Sequence, residues 1–219
     1  QRVFSYPNLK MGAHRNEDFG NMINGTTGQV STTCILKDVD SRALIDFAAV
    51  HNSNNDFALN GPQNIKANLR NYWCNGTPLP PLKSSSTEAE VNENFGEFTS
   101  TVTKLLVLQE SKGYGELIRN IKEGNIEEIS PTDEITKALF NIDMDAEGSN
   151  SVRSRQKTEA EDKEASNIYK AGSVVVFKNL KKNKFGIMII RSVNVDFDAV
   201  KATNDANATI TFDLYYQRY

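Results

Sequence analysis

The sequence lacks an apolar run of the length that crosses a membrane. A transmembrane helix needs about 20 consecutive apolar residues, whereas the longest apolar runs here, such as residues 185–190, have only the length of a strand. An excess of one charge is lacking too, since 25 Lys and Arg stand against 28 Asp and Glu, for a net charge of −3. The composition therefore predicts neither a membrane-spanning helix nor a basic surface for nucleic acid or anionic lipid.

Catalytic motifs are also missing. The two histidines, His14 and His51, are far apart, and neither has a His-x-x-x-His partner. The chain has no Gly-x-Ser-x-Gly elbow, phosphate-binding Gly-rich loop, Cys-x-x-Cys or His-Glu-x-x-His, which are patterns that place nucleophiles, phosphates or metals. We therefore predict that the protein is not an enzyme. A hydrolase that uses two of the many carboxylates is the rival, because their separation in space decides that chemistry.

Cysteine is scarce. Cys34 and Cys74 are the two in the chain, so at most one disulfide can form. Both have apolar neighbours, which favours buried free thiols, because a free cysteine packs as a small hydrophobic residue. A bridge between them is the alternative and would suit an oxidising compartment. Two cysteines without a spacing motif do not decide between these states.

Strand patterns are plentiful, most clearly at the end of the chain. Residues 174–177 and 185–190 are short apolar runs around a basic turn, and residues 208–216 alternate apolar with polar side chains. These patterns predict an antiparallel meander of three strands. Near the start, residues 19–23 and 29–36 flank an Asn-Gly turn, which predicts a further hairpin.

Two segments in the second half of the chain have helical patterns. Residues 116–123 are amphipathic and are followed by Gly124, a residue that commonly ends a helix. Ser130 and Pro131 precede apolar residues at helical spacing, which predicts a second helix over residues 131–141.

We predict that residues 1–219 form a single α+β domain. Its sheet would be mainly antiparallel and sandwich-like or barrel-like, with a few helices from residues 114–167 packed on one side or end. Residues 84–170 would form a helical or irregular insertion between the N-terminal and C-terminal strands, although residues 98–108 have a strand pattern. The strongly charged residues 151–167 are typical of a solvated helix or of a poorly ordered segment.

Tyr72 and Trp73 are the candidate ligand-binding residues. They precede a proline-rich stretch, and Trp73 is the one tryptophan in the chain. Adjacent aromatic rings can form a stacking platform for a sugar or a peptide. A core anchor beside Cys74 is the alternative role, and we favour it.

Asp143, Asp145 and Glu147 are the candidate metal ligands. They occupy positions one, three and five of a six-residue stretch with Gly148 at position six, which resembles the opening of a calcium loop. The bidentate glutamate expected at position twelve is absent, because that position is Ser154. Ca²⁺ is the one cofactor that the sequence suggests, and the missing ligand argues against it.

The first part of the chain resembles a known family. Residues 9–24 and the Thr-Gly-Gln-Val of residues 27–30 resemble an N-terminal signature that recurs in small surface lipoproteins of Bacteroidetes. Residues 43–47, Ala-Leu-Ile-Asp-Phe, are similar to the strand that follows in those proteins.

The end of the chain resembles the closing hairpin of the same family. Residues 183–188 and 209–214 are similar to its two strands, although Phe185 stands where the family usually has tyrosine. The resemblance does not cover residues 78–170. Its motifs are structural glycines and strand residues, so no catalytic residue can be carried over.

The resemblance implies a secreted chain at the extracellular face of the outer membrane, held by a lipid upstream of residue 1. The sequence begins at Gln1 without methionine or a signal-peptide pattern, as a processed product would. Such proteins usually accompany SusC/SusD-type nutrient importers, which implies an accessory lipoprotein that binds an oligosaccharide, a peptide or a protein partner without catalysis. A stand-alone glycan- or lipid-binding module is the alternative, and a surface hydrolase the second.

Overall fold

The computed structural model describes residues 2–16, 18–51, 57–154, 167–195 and 207–219. Within these ranges, two five-stranded sheets and one two-stranded sheet are formed, and all neighbouring strands are antiparallel. Residues 155–166, most of the charged segment discussed above, lie outside the described ranges.

The first sheet brings the two ends of the chain together. Its strands are β1 Val3–Gly12, β8 Thr103–Val107, β10 Val174–Asn179, β11 Lys184–Asn194 and β12 Thr209–Gln217. Their spatial order is β1–β12–β11–β10–β8. The last three strands in sequence form the predicted antiparallel meander, so the strand pattern at the end of the chain is confirmed.

The second sheet comes from the first half of the chain, except for one edge strand. Its strands are β2 Met22–Asn24, β3 Gln29–Ser31, β4 Phe47–His51, β5 Phe57–Asn60 and β9 Ser151–Ser154, in the order β3–β2–β4–β5–β9. The β2–β3 hairpin confirms the one predicted around the Asn-Gly turn, with shorter strands. Its second strand ends early because the chain enters a 3₁₀-helix, Thr33–Lys37.

Helices and a small hairpin complete the described structure. The hairpin pairs β6 Trp73–Cys74 with β7 Thr77–Pro78. The α-helices are α1 Val39–Arg42, α2 Glu88–Thr99, α3 Gly115–Glu123 and α4 Met144–Glu147. The fold is therefore α+β with mainly antiparallel strands, as predicted, and its open sheets are sandwich-like. No helix in the described ranges combines the length and the apolar character needed to span a membrane.

The two large sheets pack face to face around one core. In the interior strand β10, Val175 and Phe177 belong to this inter-sheet cluster, and the Phe177 ring meets Phe47 of β4 with 5.1 Å between ring centroids. Val174 and Val176 belong to a cluster on the other face of the first sheet. Since β10 is covered on both faces, its sequence is a continuous apolar run rather than an alternating one.

A helix covers the outer face of each sheet. Helix α3 packs Leu117 and Ile121 in the cluster on the first sheet. Helix α2 packs Val91, Phe95 and Phe98 in the cluster on the second sheet. The resulting order of layers is α3, first sheet, second sheet, α2, and the chain buries three connected apolar clusters.

The strand predicted over residues 98–108 is shorter than expected, because helix α2 occupies its first residues. The helix runs to Thr99, and the strand β8 begins only at Thr103. Helix α2 begins with a capping box, in which the Thr87 side chain accepts a hydrogen bond from the Glu90 amide and the Glu90 side chain accepts one from the Thr87 amide. The Thr-x-x-Glu spacing is the sequence signal for this helix.

The prediction of an α-helix over residues 131–141 is wrong. The structure has turns there, followed by a 3₁₀-helix at Lys137–Asn141. The Asp133 carboxylate accepts hydrogen bonds from the Ile135 and Thr136 amides, and the Thr136 hydroxyl donates to the Glu128 carbonyl. Short polar side chains that bond nearby backbone in this way compete with the helix.

Residues 84–170 supply more regular structure than a helical or irregular insertion would. Strand β8 pairs with β10 in the first sheet, and β9 pairs with β5 in the second. Helices α3 and α4 come from the predicted region of residues 114–167, whereas α1 and α2 precede it.

A buried carboxylate joins the two large sheets. Asp46, just before β4, is 0% exposed. Its oxygens accept hydrogen bonds from the Asn179 amide group at 2.7 Å, the Tyr216 hydroxyl at 3.0 Å and the Gly25 backbone amide at 2.7 Å. The Lys182 ammonium lies 3.0 Å from both oxygens. Asn179, Lys182 and Tyr216 belong to the first sheet and its turn, so this network links the sheets.

Gly186 in β11 has no room for a side chain. It pairs with Phe177, and an added Cβ would lie 2.1 Å from the buried Phe177 ring. We expect Gly186→Ala to lower the free energy of unfolding by about 1–3 kcal/mol, because overpacking displaces a ring that the core holds. Urea denaturation followed by circular dichroism measures this loss.

Gly96 in α2 is the matched control. An added Cβ there meets no atom within 4 Å. Gly96→Ala should leave the protein as stable as before or stabilise it by up to about 1 kcal/mol, since alanine is the better helix former. Equal losses for the two variants would contradict the steric explanation at Gly186.

Candidate functional site

An open pocket of about 430 Å³ lies beside the β6–β7 hairpin. Three short segments form it: the turn after β1, the residue that precedes the 3₁₀-helix Thr33–Lys37, and the hairpin itself. The lining residues are His14, Arg15, Asn16, Thr32, Trp73, Asn75 and Gly76.

The hairpin owes its shape to an Asn-Gly turn. Trp73 pairs with Pro78 and Cys74 with Thr77, which leaves Asn75 and Gly76 as the two turn residues. Both have positive φ, 54° at Asn75 and 73° at Gly76. Two consecutive left-handed residues are what a two-residue type I′ turn requires, and Asn-Gly adopts them readily. The turn fixes Trp73 and Asn75 on the pocket wall.

A disulfide between Cys34 and Cys74 ties two of the three segments together. The Cα atoms are 4.8 Å apart, and the residues are 40 positions apart in sequence. The favoured prediction of free buried thiols is therefore wrong, and the bridge that the sequence left open forms. The reason is tertiary: β6 packs beside the 3₁₀-helix that carries Cys34, a proximity that sequence spacing does not encode.

Arg15 lies over the Trp73 ring in the pocket. Its guanidinium carbon is 4.1 Å from the centroid of the indole ring, a distance typical of cation–π contact. Partial burial lowers the pKa of Arg15 from its ordinary value. The Nε donor is buried, and it has no acceptor among the described residues.

The two aromatic residues predicted to bind ligand lie in different environments. Trp73 is partly exposed and lines the pocket. Tyr72 is only 2% exposed, belongs to the core cluster on the second sheet, and stacks on His14 with 4.8 Å between ring centroids. Burial raises the pKa of its hydroxyl. Tyr72 therefore has the core role that the sequence favoured, while ligand binding by Trp73 stays a prediction.

The predicted calcium ligands lie at the start of α4. Asp143 is the N-cap, and its carboxylate accepts hydrogen bonds from the Asp145 and Ala146 amides. Glu147 accepts a hydrogen bond from the Tyr114 hydroxyl instead of pointing to a shared centre. Among the residues that the structure describes, no group of three or more His, Cys, Asp or Glu could hold a metal ion.

A second hollow of about 460 Å³ lies between α3 and residues 134–142. Its lining mixes apolar and acidic side chains, and Tyr114 lies at one end. Burial, together with the hydrogen bond to Glu147, raises the pKa of Tyr114 to about 12. Glu116 and Glu134 also line this hollow, so its electrostatic character is opposite to that of the Arg15 pocket.

The pocket beside Trp73 offers binding groups. Thr32 contributes a hydroxyl, Asn16 and Asn75 contribute amides, and Arg15 contributes a guanidinium. Side chains of this kind orient a polar ligand by hydrogen bonds, while an indole supplies apolar contact area. None of the described lining residues is a serine, cysteine or carboxylate.

The sequence patterns pointed to Trp73 but not to its neighbours. Arg15 and Asn16 lie inside residues 9–24, the stretch that resembles the lipoprotein signature, and no motif marks them as ligand-binding residues. Thr32 and Asn75 stand within two residues of Cys34 and Cys74, respectively. A predicted disulfide between Cys34 and Cys74 would have implied that Thr32 and Asn75 lie close together.

Comparisons with known proteins identify neither a family nor a function for this chain. No protein-family model matches the chain, and no curated protein matches it. One similar solved structure is a DUF4466 family protein from Parabacteroides merdae, at 12% sequence identity and a TM-score of 0.49. The match covers 99% of this chain and 54% of the other, so this chain spans about half its length. At this similarity neither a family nor a function is carried over to this chain.

Proposed function

We propose that this chain is a non-catalytic binding protein of the Bacteroidetes cell surface, which holds a polar ligand at the pocket lined by Trp73. The observation that carries the proposal is the pocket itself: a partly exposed indole beside amide, hydroxyl and guanidinium groups in a hollow of about 430 Å³. In ligand sites of this size, a few polar groups orient the ligand and an aromatic side chain supplies apolar contact area. An oligosaccharide or a peptide is the ligand class.

The setting of the proposal is an outer-membrane nutrient importer. The resemblance of residues 9–30 and of the closing hairpin to surface lipoproteins supports an accessory of a SusC/SusD-type transporter, held by a lipid at the extracellular face. The disulfide Cys34–Cys74 supports a location outside the cytosol, because such bonds persist in oxidising compartments. In this role the chain would pass captured ligand to the transporter without cleaving it.

Trp73 gives a direct test of ligand binding. It is the one tryptophan in the chain, so fluorescence excited selectively at tryptophan reports on the pocket. We expect oligosaccharide hits from a glycan array to change this fluorescence. Trp73→Ala should weaken their binding in calorimetry by about tenfold, since an aromatic contact contributes about 0.5–1.5 kcal/mol.

Tyr114→Ala is the matched control, because it removes an aromatic residue from the second hollow. It should leave the affinity unchanged. A ligand that binds Trp73→Ala as tightly as the native protein, or whose binding needs Tyr114, would contradict the assignment of the pocket.

The importer role has its own test. A tagged copy expressed in its native host should co-purify a SusC/SusD-type transporter in mild detergent. A chain that binds glycan but repeatedly purifies without the transporter would instead be a stand-alone binding module.

A further inference from the structure

The described residues that line the pocket beside Trp73 carry a positive charge. Among them, Arg15 is the one arginine or lysine, and there is no aspartate or glutamate. The chain as a whole has a net charge of −3, so the pocket is opposite in sign to the molecule around it. A cationic hollow of this kind favours an anionic ligand.

Comparison with Arg42 shows what Arg15 lacks. The Arg42 guanidinium carbon lies 5.3 Å from the centroid of the Phe95 ring, and the same guanidinium binds the Glu97 carboxylate at 2.8 Å. Arg15 has the corresponding aromatic contact with Trp73, but among the described residues it forms no ion pair. Its buried Nε is also without an acceptor there.

Arg15 has groups that can bind a planar anion. Its guanidinium carbon lies over the Trp73 ring, and a guanidinium carries several N–H donors in one plane. Two of these donors match the two oxygens of a carboxylate. Contact with the indole also restricts the side chain before a ligand arrives, which reduces the entropy lost on binding.

Neutral groups complete the site. The Asn16 side-chain oxygen already accepts hydrogen bonds from the Asp18 and Phe19 amides, so its remaining polar group is the NH₂ donor. Thr32 and Asn75 add a hydroxyl and an amide on the opposite segments. Donors of this kind suit the hydroxyl groups of a sugar or the carbonyl groups of a peptide.

We propose that this pocket recognises a carboxylate, with the Arg15 guanidinium as its partner and Trp73 as the surface that holds Arg15 in place. The inference rests on the proposed function, because it names the ligand class for the same pocket. A carboxylate can come from an acidic sugar or from the C-terminus of a peptide, and the chemistry at Arg15 is the same for both.

Four probes test the inference by Trp73 fluorescence and calorimetry. They are trigalacturonate, its methyl ester, N-acetyl-trialanine, and N-acetyl-trialanine amide. We expect one acid to bind at least tenfold more tightly than its neutral counterpart, and the pair that shows this preference identifies the source of the carboxylate. Equal binding of acid and neutral probes would overturn the carboxylate site and leave the proposed pocket standing. Binding of none of the four would overturn both proposals.

Variants at Arg15 separate recognition from folding. Arg15→Gln should abolish the preference for the acid, so that the acid and its neutral counterpart bind with equal affinity, while circular dichroism shows that the variant is folded. Arg15→Lys, which keeps the charge without the planar fork, should retain part of the preference. Arg119→Gln, an exposed arginine on α3, is the matched control and should behave as the native protein. A preference that survives in Arg15→Gln would overturn the assignment.

Discussion

Replacing Asp46 with alanine is expected to lower the free energy of unfolding by about 3–5 kcal/mol, the range for breaking a buried ion pair from one side. The side chain of Asp46 is 0% exposed and that of Lys182 is 17% exposed, so water can replace little of what the carboxylate supplies. The substitution leaves the Lys182 ammonium unpaired, and it removes the acceptor of the Asn179, Tyr216 and Gly25 donors. Guanidinium denaturation gives the loss as a shift in midpoint.

A double-mutant cycle shows whether the ion pair or the packing is responsible. Asp46→Asn and Lys182→Met should each destabilise the protein, and the double variant should lose less than the sum of the two. We expect a coupling energy of about 0.5–3 kcal/mol, the range for residues in contact. Additive losses would contradict a direct interaction between the two charges.

The control for Asp46 is Asp40, an exposed aspartate in α1. Asp40→Ala should change stability by no more than about 0.5 kcal/mol, as is usual for surface substitutions. An Asp46→Ala protein as stable as this control would mean that the two sheets do not depend on the buried network.

Two sets of strands that are neighbours both in a sheet and along the chain could be predicted from the sequence. The meander β10–β11–β12 and the β2–β3 hairpin need only short turns and an alternating or continuous apolar pattern. The pairing of β1 with β12, and of β9 with β5, joins distant segments, and no local pattern specifies it. The helix predicted over residues 131–141 does not form for another reason. There, hydrogen bonds from side chains to the nearby backbone compete with the helix that the apolar spacing favours.

The candidate site was predictable only in part, for the same reason. Trp73 was identifiable as a large aromatic residue beside a proline-rich stretch. Its partner Arg15 is 58 positions away in the sequence, and the contact exists because the turn after β1 and the β6–β7 hairpin meet in the folded chain. Asp46 gave no signal at all: its partners lie at residues 25, 179, 182 and 216.

Removal of the disulfide is expected to cost about 2–4 kcal/mol in stability, because the bond closes a loop and so limits the freedom of the unfolded chain. The two cysteines are 40 positions apart, and the segment between them includes β4 and β5 of the second sheet. The Cys34→Ala/Cys74→Ala variant should therefore unfold at a lower guanidinium concentration. The reductant TCEP should lower the midpoint of the native protein by a similar amount and leave that of the variant unchanged.

The same variant should also weaken ligand binding at the pocket beside Trp73. Cys74 lies between Trp73 and Asn75, and Cys34 follows Thr32 by two positions, so the bond holds two walls of the pocket against each other. Without it, the β6–β7 hairpin keeps its turn but loses its covalent attachment to the 3₁₀-helix Thr33–Lys37, and ligand must then order both segments. Calorimetry with a glycan-array hit should show lower affinity in the variant at a temperature where circular dichroism shows it fully folded. Undiminished affinity there would mean that the hairpin and the turn after β1 form the pocket without the bond.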